Sequence, residues 1–112
     1  MAFAYLIGFF AVFVAPIFEE IFFRKQMFAR FASAGHVAIA YVCSSLLFAL
    51  MHEPVPTQGA PRWLVMLTIY GSMGAVFAWV YKKTGALWPA ILAHASNNAF
   101  AMLAIWLGAS MS

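Results

Sequence analysis

An all-α fold, a polytopic membrane bundle of about four transmembrane helices, follows from three features of the sequence. Hydrophobic residues make up 66% of the 112 positions and charged residues 8%, with a mean hydropathy of +0.93. The apolar residues fall into four stretches, each near the roughly 20 residues that a helix needs to cross a bilayer. Proline and glycine stand at the boundaries of those stretches. A water-soluble domain of this length would have to cover its apolar surface with charges that the chain lacks.

The first stretch spans residues 2–30 or slightly beyond, with Pro16 inside it. The second covers residues 36–51, and Pro54 ends it. The third covers residues 61–81; Pro61 suits a first helical turn because its missing N–H would have no partner there. The fourth starts near Leu87, holds Pro89 in its first turn and reaches residue 107. Lys82, Lys83, Thr84 and Gly85 read as the turn between the last two, with Gly85 stopping the helix. Trp63, Trp88 and Trp106 sit near segment ends, as interfacial aromatics do, and a plain packing role fits them equally. On the third stretch Gly71/Ala75 and Gly74/Ala78 place small residues four apart, a spacing that lets helices approach closely in lipid. With no repeats, low-complexity tracts or linkers, residues 1–112 read as one domain.

The net charge of +3 comes from a few residues at segment ends. It forms no basic face and argues against nucleic-acid binding. A single cysteine, Cys43, excludes an internal disulfide and a cysteine-based metal cluster. Basic residues fall at the first turn (Arg24, Lys25, Arg30) and the third (Lys82, Lys83), whereas the second loop has only Arg62. The positive-inside rule then puts both of those turns in the cytoplasm and both termini outside. No cleavable signal is evident, so the expectation is that an odd number of helices precedes this sequence in a longer protein.

Polar groups at lipid depth need a partner or a function. Glu20 and Arg24 are four apart with the acid first, the favourable order for a helical ion pair. Glu19 lies about 100° around the helix and has no cation on its own helix. Such a carboxylate suits general acid/base work; the plainer reading is a charged pair snorkelling at the interface. Phe48 and His52 are four apart, so the ring can shield one side of the imidazole. Gly35 lies midway between Glu19 and His52. A helical hairpin turning there would bring both to similar depth, about 25 Å from the turn at 1.5 Å per residue. His94 and Asn98 share a face of the fourth helix, while Asn97 points elsewhere. That pair suits either donation to an oxyanion or an interhelical hydrogen-bond clamp.

The letters also exclude mechanisms. There is no aspartate, so an aspartyl protease is out. His52-Glu53-Pro54 lacks the second histidine of a His-Glu-x-x-His zinc motif. Gly108-Ala109-Ser110 lacks the glycine that would complete a serine nucleophile motif. Ser44, Ser45 and Ser96 read as backbone-bonded packing residues, Cys43 as a small core residue and His36 as a turn or interfacial residue. Water remains as the nucleophile, activated by a carboxylate, an imidazole or a metal.

Glu19-Glu20-x-x-x-Arg24, Phe48-x-x-x-His52 and His94-x-x-x-Asn98, in that order on successive membrane helices, resemble the CPBP family of intramembrane proteases. That family holds the CAAX prenyl endopeptidases of the Rce1 type and the bacteriocin-processing and self-immunity proteins of the ABI group. The resemblance covers nearly the whole chain. It implies a glutamate-type endopeptidase in a bacterial or archaeal plasma membrane. Glu19 and His52 would activate water, His94 and Asn98 would stabilise the oxyanion, and Glu20, Arg24 and Phe48 would support them. No cofactor is expected; family members have also been described as metalloproteases, and Glu19, His52 and His94 would be the ligands of a zinc ion. The expected partners are the bilayer and a peptide or protein substrate, prenylated or otherwise membrane-associated. A membrane interaction or immunity protein that keeps the cluster as structural glue is the non-catalytic alternative. Two departures stand out: family members are usually about twice as long, and the residue after the arginine, commonly glycine, is Lys25.

Overall fold

The computed structural model describes Ala2–Met111, and the residues it describes are almost entirely helical. Four helices follow one another: α1 (Ala2–Ser33), α2 (Val37–His52), α3 (Ala60–Thr84) and α4 (Leu87–Met111). Helices α1, α3 and α4 are long and apolar enough to cross a membrane. At 16 residues, α2 extends only about 24 Å at 1.5 Å per residue, short of a hydrocarbon core of about 30 Å. Phenylalanines 3, 10, 18 and 100 are more than half exposed. In water such a surface would aggregate; against lipid it needs no cover. The chain is a multi-pass membrane protein.

Helix α1 is wound unevenly. Its turns widen to the π form at Phe10–Val14 and again at Ile21–Phe28. The first widening lies just before Pro16, whose ring lacks an N–H and crowds the preceding turn. There the Ala15 N–H bonds the carbonyl of Phe10, five residues back. The second carries Arg24, and the Ala29 N–H reaches back to the Arg24 carbonyl. No residue in that stretch explains the widening by backbone chemistry alone.

The turns follow their glycines. α1 closes with Gly35 at φ +89°, the Gly35 N–H on Ala32 O at 3.1 Å and the His36 N–H on Phe31 O at 2.9 Å. This paired capping pattern uses glycine for its left-handed position, and it makes the α1–α2 hairpin tight. His36 lies in that turn, as expected. α2 runs one residue past the predicted end and stops at Glu53, ahead of Pro54. The Glu53–Gly59 loop is strapped by Trp63, whose Nε1–H donates to Glu53 O at 2.8 Å, and by an Arg62–Glu53 ion pair at 3.5 Å. The predicted turn at 82–85 is shorter than the sequence implied. α3 continues through Lys82, Lys83 and Thr84, and Gly85 at φ +67° ends it. The Thr84 hydroxyl bonds its own helix at Val80 O, so the polar side chains here do not break the helix.

Packing is tightest between α2 and α3. A Cβ placed on Gly74 would stand 3.2 Å from the Phe48 ring and 3.2 Å from Ser45 Cα, and Ala78 is fully buried against Phe28 and Ala40. The Gly74/Ala78 pair therefore forms the close approach. Gly71 does not, because nothing lies within 4 Å of its hypothetical Cβ. At the other end α1 leans on α4: Gly8 faces Trp106 and Met102, and Tyr5 meets Trp106 edge to face at 5.9 Å. Trp106 and Trp63 thus serve packing and capping, while Trp88 is exposed. Ser44 and Ser45 differ from expectation. Their hydroxyls are buried and find no hydrogen-bond partner among the described residues, so they pack by size and not by bonding to the backbone.

Candidate active site

Three helices deliver the polar residues to one place. α1 brings Glu19, Glu20 and Arg24, the end of α2 brings His52, and the first half of α4 brings His94. The equal-depth expectation for Glu19 and His52 is met, with Glu19 Oε1 standing 3.3 Å from His52 Nε2. The other Glu19 oxygen stands 3.7 Å from His94 Nε2. One carboxylate thus lies between two imidazoles. Glu19 and His52 remain partly exposed, whereas Glu20, Arg24 and His94 are sealed.

Glu20 organises the sealed side. It pairs with Arg24 Nε at 2.8 Å within the helix and takes His94 Nδ1 at 2.8 Å across to α4. Arg24 is wholly buried. Its Nη1 and Nη2 have no hydrogen-bond partner among the described residues; the Phe48 and Phe77 rings face the guanidinium at 5.5 and 5.8 Å. Aromatic faces partly compensate a desolvated cation. The Glu20–Arg24 pair predicted from spacing is present, and it also holds a catalytic candidate in place.

The hydrogen bonds assign the imidazole protons. His52 Nδ1 is 2.8 Å from Phe48 O. A carbonyl only accepts, so Nδ1 donates and Nε2 faces Glu19. His94 Nδ1 meets the Glu20 carboxylate in the same way, so its Nε2 also faces Glu19. Both rings are fixed by packing. His52 is stacked on Tyr70 at 4.6 Å and leans on Phe48 at 4.6 Å. His94 is stacked on Phe77 at 4.7 Å with Phe48 at its edge. Phe48 shields His52 as its spacing suggested, and it touches Arg24 and His94 as well.

With both imidazoles neutral, the two carboxylates and one guanidinium leave a formal net charge of −1.

Asn98 makes its hydrogen bond outside this group. Its Nδ2 donates to Ala11 O on α1 at 2.9 Å, which is the interhelical clamp that its residue type also allowed. Asn97 points to α3, toward Met73 Sδ. Glu19, His52 and His94 approach one another, but among the described residues no group of three His, Cys, Asp or Glu is placed to hold a metal ion.

Sequence reasoning missed Tyr70 and Phe77, the two α3 aromatics that orient the histidines. Their signal was available: positions 70, 74 and 77 lie on one helical face, with Gly74 as the close contact between the two aromatics. The role of Pro16 and Ala11 was not legible, because it depends on a widened helical turn.

Comparison with known proteins places the chain in a family. Over 90 residues the chain is 33% identical to a putative membrane peptidase, YdiL, of Bacillus subtilis, covering 80% of this chain and 33% of that protein. Over 101 residues it is 30% identical to the membrane-embedded CAAX protease MroQ of Staphylococcus aureus, covering 85% of this chain and 37% of that one. The chain thus spans about a third of the length of these relatives. No solved structure matches it. The model of the type II CAAX prenyl endopeptidase Rce1-like family matches residues 1–100, and the chain belongs to that family.

Proposed function

We propose that the chain carries the hydrolytic centre of an intramembrane endopeptidase that cleaves a membrane-associated peptide by water attack. The observation that carries this reading is the Glu19 carboxylate between the Nε2 atoms of His52 and His94, at 3.3 and 3.7 Å. A water bound to Glu19 and His52 Nε2 gives a proton to Glu19 as its oxygen bonds to the scissile carbonyl carbon. The negative charge that develops on the carbonyl oxygen accepts a hydrogen bond from His94 Nε2–H, the imidazolium being balanced by Glu20. Asn98, one turn along α4, supplies a second donor through the amide hydrogen not committed to Ala11. When the C–N bond breaks, the proton held by Glu19 passes to the leaving amine. No metal takes part in these steps.

The family, and the staphylococcal relative as a membrane-embedded CAAX protease, support a substrate class: a peptide anchored at the membrane, with a prenylated C-terminal segment as the first to try. A non-catalytic role as an interaction or immunity protein has one supporting observation, since the Glu20–Arg24–His94 group would hold α1 to α4 without any chemistry. The two readings separate on substitution of Glu19, which lies outside that sealed group. Under the enzymatic reading Glu19→Gln inserts and accumulates normally, yet cleavage falls about 100-fold or more. Cleavage equal to the parent would remove Glu19 from the mechanism.

A further inference from the structure

One backbone carbonyl in α1 has lost its own helix's donor. In regular α geometry Ala11 O would accept from the Ala15 N–H, but that N–H is bonded to Phe10 O. In the wider π geometry the next donor would come from residue 16, which is proline and has no N–H. An unpartnered carbonyl is costly at membrane depth. The Asn98 side chain supplies what is missing, with Nδ2 at 2.9 Å from Ala11 O.

The position of this bond matters for the site. α4 grips α1 on both sides of Pro16: Asn98 holds Ala11 before it, and His94 holds Glu20 after it at 2.8 Å. Glu19 lies within the bracketed segment, three residues past the proline. A hinge at Pro16 left free to bend would swing Glu19 relative to His52 on α2.

We propose that Asn98, through the amide hydrogen it gives to Ala11 O, also positions the site: it replaces the N–H missing at Pro16 and so fixes the α1 bend that sets Glu19 between the two histidines. Asn98 and Pro16 then form one coupled device. The catalytic consequence rests on the hydrolytic reading above; the coupling itself does not.

A double-mutant cycle tests it, because Pro16→Ala restores a backbone N–H near Ala11 O. With Pro16 present, Asn98→Ala should lower the folding equilibrium in mixed micelles at least tenfold. In the Pro16→Ala background the same change should cost less than about threefold, the carbonyl then having a donor from its own helix. In peptide cleavage part of the kcat loss caused by Asn98→Ala should be recovered in the same background, the remainder being the lost oxyanion donor, with KM little changed in either. Equal costs in both backgrounds would overturn the proposal. A second measurement covers the case in which Pro16→Ala fails to fold. With 13C=O placed at Ala11, the amide stretch should move to that of an unbonded carbonyl in Asn98→Ala, and an unmoved band would also overturn it. If the parent cleaves nothing, the hydrolytic reading fails while the folding cycle and the Ala11 band still decide the coupling.

Discussion

Glu19 and Glu20 are neighbours in sequence with different work because of one angle. A step of about 100° around the helix turns Glu20 to Arg24 and His94, sealed from solvent, and Glu19 to His52, where the site opens. The sequence showed this division through the four-residue spacing of Glu20 and Arg24, and the geometry extends it. Glu20 supports Arg24 and His94 together, which a reading of α1 alone could not reveal, because the second partner lies 74 residues away. Glu20→Ala therefore does more than weaken catalysis. It leaves the Arg24 cation buried without a counter-charge, and the expected cost is about 3–5 kcal/mol. Folded protein recovered from membranes should drop well below that of Glu19→Gln. Equal recovery of the two variants would contradict the structural role given to Glu20.

Among elements, α3 contributes no charged residue to the site and yet shapes it. Gly74 lets α2 come close enough for Phe48 to sit among His52, Phe77 and His94. Gly74→Val would drive a branched side chain into the Phe48 ring and the Ser45 backbone. Overpacking of this kind costs about 1–3 kcal/mol, and loss of thermal stability in detergent should accompany loss of cleavage. A matched change at Gly71, which meets nothing, should be silent in the same melts; equal destabilisation at both positions would contradict the assigned interface. The small-residue spacing was visible in the sequence, but it marked two equivalent pairs and could not choose between them. Helix ends were legible to within a few residues, because Gly35, Gly85, Pro54 and Pro61 each impose a backbone constraint. The two widened stretches of α1 were not legible. The first depends on a proline acting together with a side chain from another helix, of which periodicity carries no trace, and no residue of the second explains its winding.

Over the whole molecule, two scales of electrostatics separate. Arg24 counted toward orientation in the sequence, but it is sealed in the site, so the bias at the α1–α2 turn rests on Lys25 and Arg30. Lys82 and Lys83 still end α3, next to the turn into α4. The positive-inside rule continues to place both turns in the cytoplasm. In a Cys43→Ala background, a cysteine at Lys83 should react with a membrane-impermeant thiol reagent only from the cytoplasmic side, and one at Gln58 only from the opposite side. The reverse pattern would invert the orientation and move the His52 end of the site to the cytoplasm.

The proposed mechanism depends on Glu19 as the carboxylate that activates water, without a metal. The direct measurement is cleavage of a membrane-anchored peptide by the purified chain in lipid vesicles, with parent and Glu19→Gln compared in buffer containing a strong chelator. The expected result is chelator-resistant cleavage by the parent, reduced about 100-fold or more in Glu19→Gln at equal insertion. Undiminished cleavage by Glu19→Gln, or parental activity that chelation abolishes and zinc restores, would contradict it.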